Sequence, residues 1–201
     1  MKVSREQVAE NRRIILDVAG RLFRERGFEA VTVAEIMQAA GLTHGGFYGY
    51  FTSKDDLIAQ ALTEALANST IRADDLAGYA ASYLSPDHRD DRARGCATAA
   101  LAADTIHQKD SARSVMTQAL EQQIARLSRI APGRTAAQKR SAAVVSWSTM
   151  VGALILARAS DDPALSDEIL TDTRAWLAAQ SGAQGEAHIP RKGRKKTAGA
   201  R

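Results

Sequence analysis

Cysteine is nearly missing from this 201-residue chain, where Cys96 stands alone. A lone thiol excludes an intramolecular disulfide and any structural zinc site built on several cysteines, and it suits a reducing compartment. Proline occurs four times, so long helices meet few breaks. Aromatic residues make up only 5% of the chain, and six of the ten fall between Phe23 and Phe51. The first quarter therefore packs around a different kind of core from the rest. The opening MKVSREQVAENRR is charged within a few residues, so no secretory signal region is expected there. A long, strongly apolar run without charge, SAAVVSWSTMVGALILA from Ser141 to Ala157, is seventeen residues and holds four hydroxyl side chains. It is marginal for a membrane span and reads as a buried helix of a cytoplasmic protein.

A charge argument for nucleic-acid binding is also missing from the N-terminal part. Residues 1–60 carry eight basic and eight acidic side chains, and residues 61–187 carry thirteen and fifteen. The net charge of +4 comes from 188–201, with six basic residues and no acid. Any DNA-binding case must rest on local placement. Hydrophobic residues at 45% and charged residues at 25% are an ordinary globular mix, which excludes disorder throughout.

Nearly every stretch repeats at helical period and none alternates at period two, which predicts an all-α fold of about nine helices. Ser4 with Gln7 predicts a capping box opening the first helix, and Gly27 a left-handed stop with Phe28 folding back on Phe23. Thr32 with Glu35 opens a second helix over 33–40, Thr43 a third over 44–51, and Ser53 with Asp56 a fourth reaching residue 71. Helices two and three, joined by Gly41 and Leu42, make a helix-turn-helix. Beyond it, helices are expected over 74–84, 95–108, 110–131, 135–160 and 164–180, with a charged connection over 86–94. The tail over 181–201 lacks periodicity and is expected to be disordered.

The stretch AGLTHGGFYGYFTSKDDLI, from Ala40 to Ile58, carries the functional signal. Its third helix begins small and polar, so its N-terminal end can press into a major groove and offer a positive dipole to phosphate. Phe47 and Phe51, four apart, are expected to face the core. The IILDVAGRLFRERGFEAVTV pattern, the A-G-L-T turn and the G-F-Y-x-Y-F-x-S-K-x-x-L signature resemble TetR-type transcriptional repressors, over roughly Ile14 to Leu62.

That resemblance implies a DNA-binding domain over 1–52, joined by the helix starting near 53 to a ligand-binding and dimerisation domain over 53–180. It implies a homodimer on a double-stranded palindromic operator, released by a small-molecule effector, with no membrane partner and no cofactor. By position, Thr43, His44 and Gly45 match the base-facing end, Tyr48 and Lys54 the phosphate contacts, and Thr32 the capped second helix. Tyr50 stands where His is common, Gly46 where Ser, Thr or Ala is frequent, and Gly49 where a side chain often touches DNA. His44 is the best base reader left.

In the C-terminal half, Ala142, Ser146, Thr149 and Ala153, with Leu165, Ile169 and Trp176, are candidates for the dimer interface. Tyr79, Tyr83, His107, Met116, Trp147 and Met150 are candidate pocket residues. Cys96, read as lying in a helix first turn capped by Gly95 and close to Arg92 and Arg94, is a candidate redox or electrophile sensor. Four histidines without an i, i+4 pair, no Gly-rich phosphate loop and no nucleophile elbow argue against an enzyme and against a metal site. An activator or a DNA-architectural protein is the alternative regulator.

Overall fold

The structure, a computed structural model, describes residues 4–67 and 73–182. Among these, ten helical segments and no strand appear. The chain runs α1 (Arg5–Arg26), α2 (Val33–Ala39), a 3₁₀ helix (His44–Gly49), α3 (Lys54–Ala67), α4 (Leu76–Tyr83) and α5 (Pro86–Asp90). It continues through α6 (Ala97–Thr105), α7 (Asp110–Ser128), α8 (Ala136–Ala159) and α9 (Pro163–Gly182). The tenth segment is α5, where a plain connection was expected; Ser85 caps it and Pro86 opens it, which suits a one-turn helix. The expected extension of α3 to residue 71 and the tail over 183–201 lie outside the described residues.

The four N-terminal cap signals resolve differently. Thr32 and Glu35 form a full capping box. Ser4 accepts from the Gln7 amide, but the Gln7 side chain turns to Asn11 Oδ1 (2.9 Å) and leaves the box half made. Ser53 accepts from the Asp56 amide, while the Asp56 carboxylate reaches the amide of Thr52 (3.0 Å). Thr43 precedes the third helix without a side-chain cap bond, and that helix is 3₁₀ rather than α. Three of its six residues are glycine, each about 1 kcal/mol poorer than alanine in an α-helix.

Gly27 ends α1 with φ 81° and Gly41 makes the turn after α2 with φ 72°, a region that favours glycine. Phe28 then packs edge-on against Phe23, with centroids 5.2 Å apart. Phe47 and Phe51 stack at 5.7 Å and are buried as expected. Burial of each such ring contributes about 1.5–3 kcal/mol. This aromatic core does not stop at residue 52: Leu57, Ile58, Leu62, Leu101, Ala112 and Met116 continue it into α3, α6 and α7.

A second core joins α4, α7, α8 and α9 around Tyr79, Tyr83, Trp147, Met150 and Leu154. Among the described residues α8 alone is long and apolar enough to cross a membrane, yet its Ala143, Trp147, Met150 and Leu154 face this core.

Candidate nucleic-acid interface and effector cavity

The helix-turn-helix presents an open face. Thr43, His44 and Gly45 are exposed, and Tyr48 is 76% exposed although its ring leans edge-on against Phe47. Thr32 is exposed, with its hydroxyl and amide both committed to Glu35. Bonds from the Thr32 amide and hydroxyl, with Arg26 beside them, lower the Glu35 pKa to about 2. Tyr50 is half-buried, and its hydroxyl accepts from Asn11 Nδ2 (2.9 Å), which ties the end of the 3₁₀ helix to α1.

Charge on this face follows from which ions are already paired. Lys54 opens α3 beside two acids, but Asp55 meets Lys109 Nζ at 2.7 Å and Asp56 caps the helix start. Among the described residues no carboxylate lies within 4 Å of Lys54. Elsewhere in the segment Glu10 pairs with Arg13, Asp17 with Arg21, and Glu35 with Arg26. A segment of zero net charge thus shows an unneutralised lysine next to exposed polar groups and an exposed phenol. Gly45 and Gly49 face open space, so a Cβ would fit at both.

A cavity of about 370 Å³ lies where α1 and α3 meet α4, α6, α7 and α8. Leu16, Gly20 and Ala61 form its wall on the N-terminal side; Tyr83, Cys96 and Trp147 face it from the other. Of the expected pocket residues, Tyr83 and Trp147 line it, and Tyr79 stands behind it as acceptor for Gln123 Nε2 (2.7 Å). Met116 and Met150 are buried core, and His107 is an exposed residue beyond α6. Arg24, His88 and Gln123 also line the cavity. Sequence reasoning missed them because a polar residue on a helix carries no sign of which neighbour it faces.

Cys96 is not in a first turn behind Gly95. It is itself the N-cap of α6, half-buried, with Sγ accepting from the Ala99 amide at 3.5 Å. Its own amide donates to His88 Nε2 (3.0 Å), so the proton of that imidazole sits on Nδ1 and goes to the Tyr83 carbonyl. Burial, the largest effect, lowers the His88 pKa. Arg92 and Arg94 turn away, to the Glu25 carbonyl and to Asp91; Arg24 and Arg158 are the cations whose charge reaches the thiol. Tyr83 is pushed well above the usual phenol value by burial and then by the neighbouring thiol.

On the far side, Ser146 and Ala153 face the chain's own core, whereas Ala142 and Thr149 are half-buried. The outward apolar residues are Val144, Val145, Ile155 and Leu156 of α8, with Leu165 and Trp176 of α9 exposed and Ile169 half-buried.

Residues 15–61 match the model for bacterial regulatory proteins of the tetR family. That stretch, under a quarter of the chain, is similar to the DNA-binding segment of the tetR family. Across 57 residues the chain is 40% identical to the HTH-type transcriptional regulator AcrR of Shigella flexneri, covering 28% of this chain and 26% of that one. Across 69 residues it is 41% identical to the HTH-type transcriptional repressor Rv1474c of Mycobacterium tuberculosis, covering 33% and 37%. The match spans about a third of this chain and of these curated relatives. The fold likeness reaches further: a TetR-family regulator from Cytophaga hutchinsonii superposes with TM-score 0.69 over 89% of this chain and 98% of its own, at 18% identity.

Proposed function

We propose that this chain is a tetR-family transcriptional repressor, responsive to an effector, that works in the cytoplasm as a homodimer on a two-fold DNA operator. The observation that carries the reading is the open face of the helix-turn-helix. Tyr48 is 76% exposed there, and Lys54 has lost its acidic neighbours to Lys109 and to a helix cap. In this reading Thr43, His44 and Gly45 meet base edges, while Thr32, Tyr48, Tyr50 and Lys54 meet phosphate. The exposed apolar side of α8 and α9 forms the two-fold contact, because contiguous apolar surface of that kind is rarely left to water. The cavity serves as the effector site, since its walls belong both to helices of the DNA-binding part and to those behind it.

Footprinting across the chain's own upstream region is the test. A protected, two-fold symmetric site is expected. Equal affinity for all duplex sequences would replace the repressor by an architectural protein.

A further inference from the structure

The cavity wall holds more hydrogen-bond donors than the protein satisfies. Trp147 is 6% exposed and its Nε1–H, which can only donate, has no partner. Tyr83 is 2% exposed and its hydroxyl has no hydrogen bond of ordinary geometry, although the Cys96 thiol lies beside it and Tyr79 and Arg158 act on it electrostatically. The two rings stand edge to face at 5.1 Å, and both residues line the cavity. An unmet buried donor costs about 1–3 kcal/mol, and two side by side are not an economical way to build a core.

Arg24 adds charge to the same wall. It is half-buried, spends Nε on the Ala93 carbonyl (2.5 Å), and has no carboxylate within 4 Å among the described residues. Burial lowers its pKa and Asp17 offsets that only in part. Arg126 at the mouth is likewise without a carboxylate within 4 Å. Two exposed acids, Asp17 and Glu64, also line the mouth, but Asp17 lies 3.4 Å from Arg21. The wall also holds His88, Cys96, Thr98 and Gln123, whose side-chain amide brings an acceptor oxygen as well as a donor, and its apolar part is Leu16, Leu66 and several alanines.

We propose that this cavity binds a small monocarboxylate with an apolar body, its carboxylate taken by Arg24, Trp147 Nε1 and the Tyr83 hydroxyl, and its body lying against Leu16 and Leu66. The assignment rests on the cavity's being the effector site. It names the ligand's chemistry: a charge-assisted set of donors favours an anion over a neutral isostere, and a volume of about 370 Å³ lies at the small end of ligand sites.

Calorimetric titration of the full-length protein, without DNA, tests it. The probes are benzoate, phenylacetate and octanoate, with benzamide as the neutral control. At least one carboxylate is expected to bind tenfold or more tighter than benzamide. Trp147→Phe keeps the ring and removes the donor, and should weaken the carboxylate about tenfold. Arg24→Gln should weaken it by a similar factor without changing benzamide, and Arg24→Lys should restore part of it. Binding of none of the three acids, or equal binding of acid and amide, overturns the proposal. So does wild-type affinity in both Trp147→Phe and Arg24→Gln. Operator binding, measured separately on the same preparation, shows whether the regulator reading stands when the ligand assignment falls.

Discussion

The carboxylate of Asp104, near the end of α6, accepts a hydrogen bond from the backbone amide of Phe28 at 3.2 Å. α6 begins at the cavity with Cys96 and ends on the turn that leads from α1 to the helix-turn-helix. One nine-residue helix thus touches both the cavity and the segment that leads into the helix-turn-helix. Asp104→Ala should cost about 1–3 kcal/mol, as a charged acceptor is lost from a part-buried amide. Gly27→Ala should also be poorly tolerated, because φ is 81° and the new Cβ would run into the Asp104 carboxylate. Urea unfolding measures both, and an unchanged midpoint in Asp104→Ala would mean that the bond contributes nothing.

Within the repressor reading, His44→Ala is expected to reduce discrimination at one base position per half-site by about 1–3 kcal/mol. Lys54→Ala should weaken every sequence alike and lower the slope of log affinity against log salt by about 1. Competition titrations on single-base operator variants separate the two behaviours. A uniform loss in His44→Ala would reassign that side chain to the backbone.

The 3₁₀ helix is open to stabilisation at a bare position. Gly49 has ordinary negative φ and nothing within 4 Å of an added Cβ. Gly49→Ala should raise stability by about 0.4–1 kcal/mol through the unfolded chain. Thermal unfolding is the measurement, and a lowered Tm would contradict the assignment of this position as open.

Acid should destabilise the C-terminal part through His88. Its folded pKa lies below the ordinary 6.5, chiefly from burial, so below pH 6.5 the unfolded chain takes up the proton first. Stability is therefore present above about pH 6.5 and falls as pH drops toward the folded value. Protonation would also take the Nε2 lone pair from the Cys96 amide, next to the Arg158 guanidinium, with Asp91 the facing acid. His88→Gln should flatten this part of the pH–stability curve. If it keeps the wild-type slope between pH 5 and 7, another group is responsible.

Trp176 and Val145 line one depression between α8 and α9, and Leu156 lies exposed further along α8. If this side is the two-fold contact, Leu156→Arg and Trp176→Glu should each yield a monomer with unchanged helical circular dichroism. Sedimentation equilibrium reads the mass directly. A dimer that survives both changes would move the interface elsewhere.

The helical class, the helix-turn-helix and most helix starts were legible because each rests on neighbours in the chain. A cap needs a hydroxyl three residues before an amide, a turn needs Gly41, and an apolar stripe needs only its own period. The aromatic pair Phe47 and Phe51 was legible for the same reason. Elements that lean on other helices were not. The sequence offered Ala142, Ser146, Thr149 and Ala153 as one face of α8, but only packing against α7 and α9 turned Ser146 and Ala153 inward and left Val144, Val145 and Leu156 outside. Cys96 carried a visible helix-start signal, yet its place as the cap itself, bonded to His88, depends on a contact eight residues away. Arg24 and Trp147 read as ordinary helix residues until α1 and α8 were seen to wall one cavity. Local hydrogen bonding and periodicity are properties of a short stretch of chain, and the sequence determines them unaided. Which polar groups are left without a partner depends on what distant helices bring to them, and the tertiary structure alone decides that.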